Sequence, residues 1–214
     1  MSEVQSCSLH LRYAKAPEYN STSMFYIEGV AVTLKTSFFI QPILHYSYNK
    51  EKWHTLSLEH QHSDNKNIFW YFKTPGTYSS NECTFFIECG VGRSLIIDNN
   101  YNNNYRLAWY SPTKILQACA VKLDRVLRSP DKLFGNITVK NLSYQKQIKI
   151  IYSPDHWTTQ NEVEAFFKEP ICATLENWEF SIPVAQEHSL ELSISYIENG
   201  NIHLDDNFGK GYTF

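Results

Sequence analysis

Tryptophan and asparagine-rich segments recur together in the two halves of the sequence, and these residue types can bind a sugar. Trp53 and Trp157 each follow an alternating apolar segment, while residues 98–105 and 205–212 read DNNYNNNY and DDNFGKGY. Asparagine offers donors and an acceptor at fixed geometry, which complements the neighbouring hydroxyls of a sugar ring. The C–H face of the ring can pack on an aromatic plane. An alternative is that asparagine and aspartate only form tight turns and tryptophan lies in the core, but recurrence in both halves favours ligand binding.

No other motif indicates catalysis or cofactor binding. The sequence lacks a nucleophile elbow, a zinc-protease H-E-x-x-H motif, a phosphate-binding loop and a dinucleotide fingerprint. His60 and His62 are predicted to share one face of a strand with Asp64 nearby, which is a conceivable metal pair, although a solvated loop explains them better. The sequence therefore predicts a protein that is not an enzyme and that needs no metal or other cofactor.

The composition excludes several classes of function. The 214 residues carry a formal charge of -3, and 15% are aromatic while only 19% are charged. A nucleic-acid-binding protein needs clustered lysine and arginine, and no apolar run reaches the ~20 residues of a membrane span. Residues 1–7 lack the basic and apolar regions of a secretion signal, and the five cysteines form no C-x-x-C pair. We expect a cytoplasmic protein with reduced thiols.

Alternating apolar residues predict an all-β fold. Short segments of this kind, separated by turn signals such as 74–76, 129–131, 153–155 and 198–201, are typical of a β-sandwich. Residues 160–168 could form a helix or an irregular loop. The predicted strands fall at residues 8–13, 30–34, 121–124, 136–140, 147–150 and 190–196.

The chain also resembles itself, which predicts two domains. Residues 6–11 match residues 118–123, the segments around Trp53 and Trp157 match each other, and the DNNYNNNY and DDNFGKGY segments end the two halves. Each half has the length of an immunoglobulin-like domain. We expect two immunoglobulin-like antiparallel β-sandwiches in tandem, at residues 1–106 and 107–214, joined near residues 106–117.

Residues 135–212 resemble the family 21 carbohydrate-binding modules, which are β-sandwiches that bind starch and glycogen. The similarity lies in GNITVKNLSYQK at 135–146, in the segment from Tyr152 to Trp157, in residues 194–196, and in the final asparagine motif. The first half is similar but more remote. It departs from the family at Ile97, and the second half at Leu204, where Trp or Tyr is usual before the motif. In addition, Ser193 replaces the aromatic that is present as Phe86.

The resemblance implies two kinds of glucan site. One combines the tryptophan with the asparagine motif in each half, and the other surrounds the Val-Lys-Asn strand of the second half, with only the aromatic Phe38 kept in the first. The residues expected to bind carbohydrate are Trp53, Phe86, Asp98, Asn99, Asn100, Asn104, Asn141, Tyr144, Lys146, Trp157, Asp205, Asp206 and Asn207.

The leading functional hypothesis is a non-catalytic protein that binds α-glucans such as glycogen, starch and maltooligosaccharides. A second hypothesis is a glycogen-targeting regulatory subunit of protein phosphatase 1, because residues 66–70, KNIFW, fit the short basic-x-Val/Ile-x-Phe/Trp pattern which that phosphatase recognises. The same segment alternates like an interior strand, which is the interpretation we favour. A third hypothesis is a lectin for another glycan. No nucleic acid or membrane partner is expected.

Overall fold

Alternation of buried and exposed side chains produces the strands of this protein. A computed structural model describes residues 8–19, 23–35, 40–50, 52–110, 113–184 and 189–214; Cys7 and Phe38 lie outside them. In strand β7, Glu82–Val91, the side chains of Cys83, Phe85 and Ile87 point into the core and those between them point outward. All six predicted strands are present, and the described residues contain no α-helix. The all-β prediction is confirmed.

The first unit, Met1–Ala118, is a sandwich of two antiparallel sheets. Its strands are β1 Leu9–Lys15, β2 Glu28–Leu34, β3 Ile43–Tyr48, β4 Lys52–Ser57, β5 Glu59–Ser63, β6 Asn67–Lys73, β7, β8 Ser94–Asp98, β9 Tyr105–Ala108 and β10 Lys114–Leu116. One sheet has the order β10-β1-β2-β6-β5, and the other has the order β4-β3-β7-β8 with β9 also paired to β7. Leu11 and Phe72 of the first sheet pack in one core with Leu44 and Phe85 of the second.

The second unit, Cys119–Phe214, repeats this arrangement around a core of its own. Its strands are β11 Val121–Arg128, β12 Lys132–Lys140, β13 Lys146–Ser153, β14 Asn161–Glu164, β15 Phe166–Cys172, β16 Leu175–Pro183, β17 Glu191–Glu198, β18 Asn201–Asp205 and β19 Tyr212–Thr213. The sheets have the orders β11-β12-β16-β15 and β14-β13-β17-β18, with β19 paired to β17. Apart from β10, each strand of the first unit has a counterpart in the same position, so the two units share one topology.

The division between the units lies later than the sequence analysis placed it. Strand β9 pairs with β7, and β10 pairs with β1, so residues 105–116 belong to the first sandwich rather than to a linker or to the second domain. Tyr105 and Leu107 lie in the first core. The sequence boundary after residue 106 followed the end of the repeated motif, whereas the strands that close the sandwich come after it.

Residues 161–164 and 166–168 lie in strands β14 and β15, so both the helix and the irregular loop considered for residues 160–168 are wrong. Strand β14 pairs with β13, where Val163 lies opposite Ile150, and β15 pairs with β16 along its length. The register of β15 shifts twice, next to Glu169 and to Pro170. The turn signal at residues 198–201 marks a hairpin: Asn199 and Gly200 have φ of 46° and 81°, as a two-residue turn between β17 and β18 requires.

Among the described residues, no helix has the length and apolar character that a membrane crossing requires.

Candidate functional site

The asparagine loop of the first unit, residues 99–104, is held by its own amides in a left-handed conformation. Asn100, Tyr101, Asn102 and Asn104 have φ between 53° and 68°, a region that asparagine tolerates better than most residues. The side chain of Asn99 accepts a hydrogen bond from the backbone of Asn102 at 3.1 Å, and that of Asn100 donates to the carbonyl of Asn104 at 3.1 Å. The turn-forming role of these amides, weighed above as an alternative, is therefore part of what they do.

The loop of the second unit, residues 206–211, repeats this geometry position by position. Asn207, Phe208, Gly209 and Gly211 have positive φ, as the four corresponding residues do. Asn207 donates to the carbonyl of Gly211 at 3.1 Å, and Asp206 accepts from the backbone of Gly209 at 2.9 Å. The repeat detected in the sequence therefore preserves a backbone structure, including its hydrogen bonds.

Asp98 and Asp205 anchor the two loops from below. Asp98 accepts from the Tyr105 hydroxyl at 2.7 Å and from the backbone of Leu11 at 2.6 Å. Asp205 accepts from the Tyr212 hydroxyl at 2.7 Å and from the backbone of Leu123 at 2.7 Å. Burial and the hydrogen bond to Asp98 raise the pKa of Tyr105, so its hydroxyl remains a donor. Both oxygens of each carboxylate are engaged inside the protein, since the second oxygen of Asp205 accepts from the Lys122 ammonium at 3.1 Å.

Trp53 and Phe86 form an aromatic surface beside the first loop. Trp53 lies on β4 and is 45% exposed, and its ring centroid is 5.4 Å from that of Phe86 on β7. On β3, which separates β4 from β7, Ser47 lies opposite Trp53 and His45 lies opposite Phe86. Because β8 pairs with β7 at Ile87 and β9 pairs with it at Phe85, the loop that joins β8 to β9 must pass next to Phe86.

His45 supports this aromatic surface, and the sequence analysis missed it. Its ring stacks on Phe86 with centroids 4.5 Å apart and an interplanar angle of 2°. Its Nε2 atom lies 2.9 Å from a carboxylate oxygen of Glu88. The signal was available in the sequence only as alternation, because His45 and Phe86 are cross-strand neighbours separated by 41 residues in the chain.

The second unit presents its tryptophan differently. Trp157 lies in the turn between β13 and β14 at φ of 65° and is 36% exposed, whereas Trp53 lies on a strand. Asp155 holds this turn by accepting from the backbone of Thr159 at 2.8 Å, and this bond with others lowers the pKa of Asp155. The second loop passes Ser193, which stands where the first unit has Phe86.

Asn141, Tyr144 and Lys146 lie together at the turn between β12 and β13. The Lys146 ammonium donates to both carboxylate oxygens of Glu176 at 2.8 Å and to the Asn141 side-chain oxygen at 2.6 Å. The Lys146 charge is therefore balanced within the protein, and Asn141 is oriented with its NH₂ group directed away from the lysine. The Tyr144 side chain is fully exposed.

His60 and His62 form neither the metal pair considered for them nor the solvated loop favoured for them, because both lie on strand β5. A bulge in β5 places His60 opposite Trp70 and His62 opposite Phe69, which are consecutive residues of β6 and face opposite sides of the sheet. His60 bonds Ser63 at 2.9 Å, and His62 stacks on Phe69. Within the described residues no group of three or more metal-ligating side chains is found.

The segment that fits the phosphatase-recognition pattern is an interior strand, as favoured above. Ile68, Phe69 and Trp70 lie on β6, which is hydrogen-bonded to β2 on one edge and to β5 on the other. Phe69 is buried. A partner could read this segment only after the sheet opened.

Comparison with known proteins gives a family match over the second half of the chain. Residues 115–214 match the family described as carbohydrate/starch-binding module (family 21), which confirms the resemblance found in the sequence. The matched residues include all four segments on which that resemblance depended.

The similar proteins are of two kinds. Protein phosphatase 1 regulatory subunit 3C of Clarias batrachus is 30% identical over 105 residues, which is 46% of this chain and 37% of that protein. Glucoamylase 1 of Rhizopus oryzae is 29% identical over 106 residues, 48% of this chain and 17% of that protein. The chain thus spans well under half the length of these relatives.

Among solved structures, the chain is similar to the starch-binding domain of Rhizopus oryzae glucoamylase, in complex with beta-cyclodextrin and maltoheptaose. The sequence identity is 27%, the match covers 47% of this chain and 96% of that one, and the TM-score is 0.41.

Proposed function

We propose that this protein is a non-catalytic α-glucan-binding protein whose two β-sandwiches each contact glycogen, starch or maltooligosaccharides. The observation that carries the proposal is the family match of residues 115–214. The tandem arrangement is supported by the shared strand order and by the two loops with the same left-handed positions. The regulatory and binding-module relatives support the absence of catalysis, and a cytoplasmic location stays a prediction.

In the first unit the proposed site is the aromatic surface with the adjacent loop. Trp53 and Phe86 supply apolar faces for the C–H side of glucosyl residues, and the loop amides stand at the edge of this aromatic surface. Asp98, like Asp205 in the second unit, acts in this proposal by fixing the loop, because both its oxygens already accept internal hydrogen bonds.

In the second unit two surfaces are proposed. Trp157 and the loop at Asp206 and Asn207 form one of them. It has Ser193 where the first unit has an aromatic residue, so we expect it to bind glucan more weakly than the site of the first unit. Asn141 and Tyr144 form the other, where a fully exposed ring stands beside an amide oriented by Lys146.

Binding to glycogen and amylose, with maltooligosaccharides as competitors, tests the proposal. We expect Trp53→Ala to weaken binding by the first unit about tenfold, which is ~1.4 kcal/mol and usual for an aromatic anchor. We expect a smaller loss for Trp157→Ala. Tyr78→Ala is the matched control, because Tyr78 is an exposed aromatic outside the proposed sites.

If neither tryptophan variant loses binding, the site assignment is wrong. If the wild-type protein does not bind α-glucans at all but binds another glycan, the lectin hypothesis replaces this one.

Recruitment of protein phosphatase 1 is a second candidate, which the relatives named as its regulatory subunits favour. The strand at residues 66–70 does not support it, because that segment is paired on both edges. The test is a pull-down in which glycogen-bound protein is incubated with the phosphatase. Failure to retain the phosphatase would remove this candidate and leave glucan binding intact.

A further inference from the structure

A cavity of about 650 Å³ lies in the first unit between the asparagine loop and the beginning of β1. Its lining comes from three segments of the chain: β1 with the residue before it, the end of β8 with the loop, and the residues that follow β10. Trp53 and Phe86 do not line it, so the cavity is separate from the aromatic surface. The volume lies within the roughly 300–1,000 Å³ that small-molecule sites occupy.

The lining combines neutral polar groups with the aliphatic side chains of Leu9, Ile96, Ile97 and Ala118. A sugar suits such a lining, because it presents both hydroxyl groups and C–H faces. Amides, a hydroxyl and an imidazole line the cavity, and Tyr101 adds an aromatic ring that is 88% exposed. Asp98 brings a carboxylate, but both its oxygens already accept hydrogen bonds. Among the lining residues that bring these groups are Ser8, His10, Asn99, Tyr101, Asn102 and Gln117.

In the second unit, a lysine and a phenylalanine occupy the corresponding place. There Lys122 corresponds to His10, because Leu123 and Leu11, the residues that follow, make the same hydrogen bond to the loop aspartate. The Lys122 ammonium donates a hydrogen bond to the Asp205 carboxylate at 3.1 Å and lies 4.8 Å from the centroid of the Phe208 ring. Phe208 corresponds to Tyr101 and has the same left-handed backbone, yet it is half-buried on the lysine. In the first unit, the imidazole and the exposed tyrosine leave the space open.

We propose that this cavity binds the terminal glucosyl residue of an α-glucan chain. The inference rests on the proposed function and adds a specificity for chain ends to the first unit. The aromatic surface of Trp53 and Phe86 is open and suits the side of a continuous chain. The cavity stands apart from that surface, and its amides and imidazole complement the additional free hydroxyl of a chain end.

The experiment compares a linear with a cyclic glucan of the same number of glucosyl residues, maltoheptaose and β-cyclodextrin. Only the linear one has chain ends. Affinities are measured by calorimetry on the full chain carrying Trp157→Ala and Tyr144→Ala, so that the first unit dominates. We expect Tyr101→Ala and His10→Ala each to weaken maltoheptaose binding about fivefold, the loss of one neutral contact, and to leave β-cyclodextrin binding unchanged.

Control variants separate this effect from loss of folding and from loss of the neighbouring site. Trp53→Ala should weaken the binding of both sugars, and Tyr78→Ala should weaken the binding of neither. The double variant His10→Lys with Tyr101→Phe reproduces the Lys122 and Phe208 pair. It should close the cavity and weaken the binding of maltoheptaose without changing that of β-cyclodextrin. Thermal unfolding of each variant checks that the exposed substitutions leave the fold intact.

The outcomes distinguish the two proposals. If both sugars bind but the Tyr101 and His10 variants affect neither, or weaken both equally, the chain-end site is wrong and the proposed function stands. If the wild-type protein binds neither sugar, the proposed function fails, and the chain-end site fails with it.

Discussion

The turn that presents Trp157 depends on the carboxylate of Asp155. This carboxylate accepts hydrogen bonds from the backbone of Thr159, its hydroxyl and the Ser153 hydroxyl. These bonds lower the pKa of Asp155 below its ordinary value of 3.8. Their contribution is therefore complete above the ordinary value and is lost as the pH falls through the lowered pKa.

We expect acid to change the environment of Trp157 before it changes that of Trp53. The measurement is a pH titration of the indole N–H signals by NMR below about pH 4, in which Trp53 serves as the internal control. Asp155→Asn removes the titrating group, so the change at Trp157 in this pH range should disappear. A change of equal size at both indoles would contradict this role of Asp155.

Asp205 is a structural carboxylate in a largely buried ion pair with Lys122. Removing it leaves the lysine without its charged partner, and breaking a buried pair in this way costs about 3–5 kcal/mol. We therefore expect Asp205→Ala to lower the free energy of opening of the second unit by that amount. Hydrogen exchange of the amides in β17 measures it, because β17 pairs with both strands that flank the loop.

The adjacent Asp206 provides the control, since it is less buried and its carboxylate accepts from one backbone amide, that of Gly209. Asp206→Ala should cost no more than about 1–2 kcal/mol. Replacing both members of the ion pair, Lys122→Met with Asp205→Leu, should recover part of the loss, because no unpaired charge then remains buried. Equal losses for both aspartates would mean that the ion pair is not what stabilises the loop.

A glycine faces a phenylalanine across two neighbouring strands in each unit. Gly29 on β2 lies opposite Phe72 on β6, and Gly135 on β12 lies opposite Phe180 on β16. A Cβ atom added to either glycine would overlap the ring of its partner. The missing side chain thus gives the aromatic ring its place in the sheet.

We expect Gly135→Ala to destabilise the second unit by about 1–3 kcal/mol, the usual cost of overpacking. Urea unfolding measures the loss, and Gly135→Ala combined with Phe180→Leu should recover much of it. The exposed residue Lys132 on the same strand gives the control, Lys132→Ala, which should change stability by no more than about 0.5 kcal/mol. A neutral Gly135→Ala would show that the ring can move aside.

The sequence was sufficient for the strands whose alternation is local, such as β12 and β17. It was insufficient for β14 and β15, because their conformation comes from pairing with β13 and β16 rather than from an alternating pattern of their own. In β15, for example, almost all of the seven residues are exposed. Similarly, the asparagine loops could be predicted as motifs. The pattern could not show that Asp98 accepts a hydrogen bond from β1, or that His10 and Tyr101 line the same cavity. Both features depend on contacts between segments about 90 residues apart.

The two sandwiches have separate cores, and this predicts how the chain binds a polymer. Each unit, residues 1–118 and 119–214, should fold when produced alone. Neutral hydrogen bonds contribute only about 1 kcal/mol each, so each unit should bind short maltooligosaccharides weakly. Two linked sites on one polymer can gain about 10²–10⁴-fold in avidity when the geometry allows both to engage.

We therefore expect the whole chain to bind glycogen at least about 100-fold more tightly than either unit, while the affinities for a short maltooligosaccharide are similar. Sedimentation of the protein with glycogen measures the first quantity, and calorimetry measures the second. A mixture of the two separate units is the control and should show no gain. If the whole chain binds glycogen no better than its stronger unit, only one unit contacts the polymer at a time.

The outer strand β15 has a consequence for the protein when many copies share one polymer particle. Exposed edge strands of neighbouring molecules tend to pair, and crowding promotes that pairing. In β15 the residue Pro170 removes a hydrogen-bond donor, and two register shifts interrupt the edge. This edge of the second unit is thereby a poor template for another strand, so the protein can accumulate on a surface without assembling into continuous sheets.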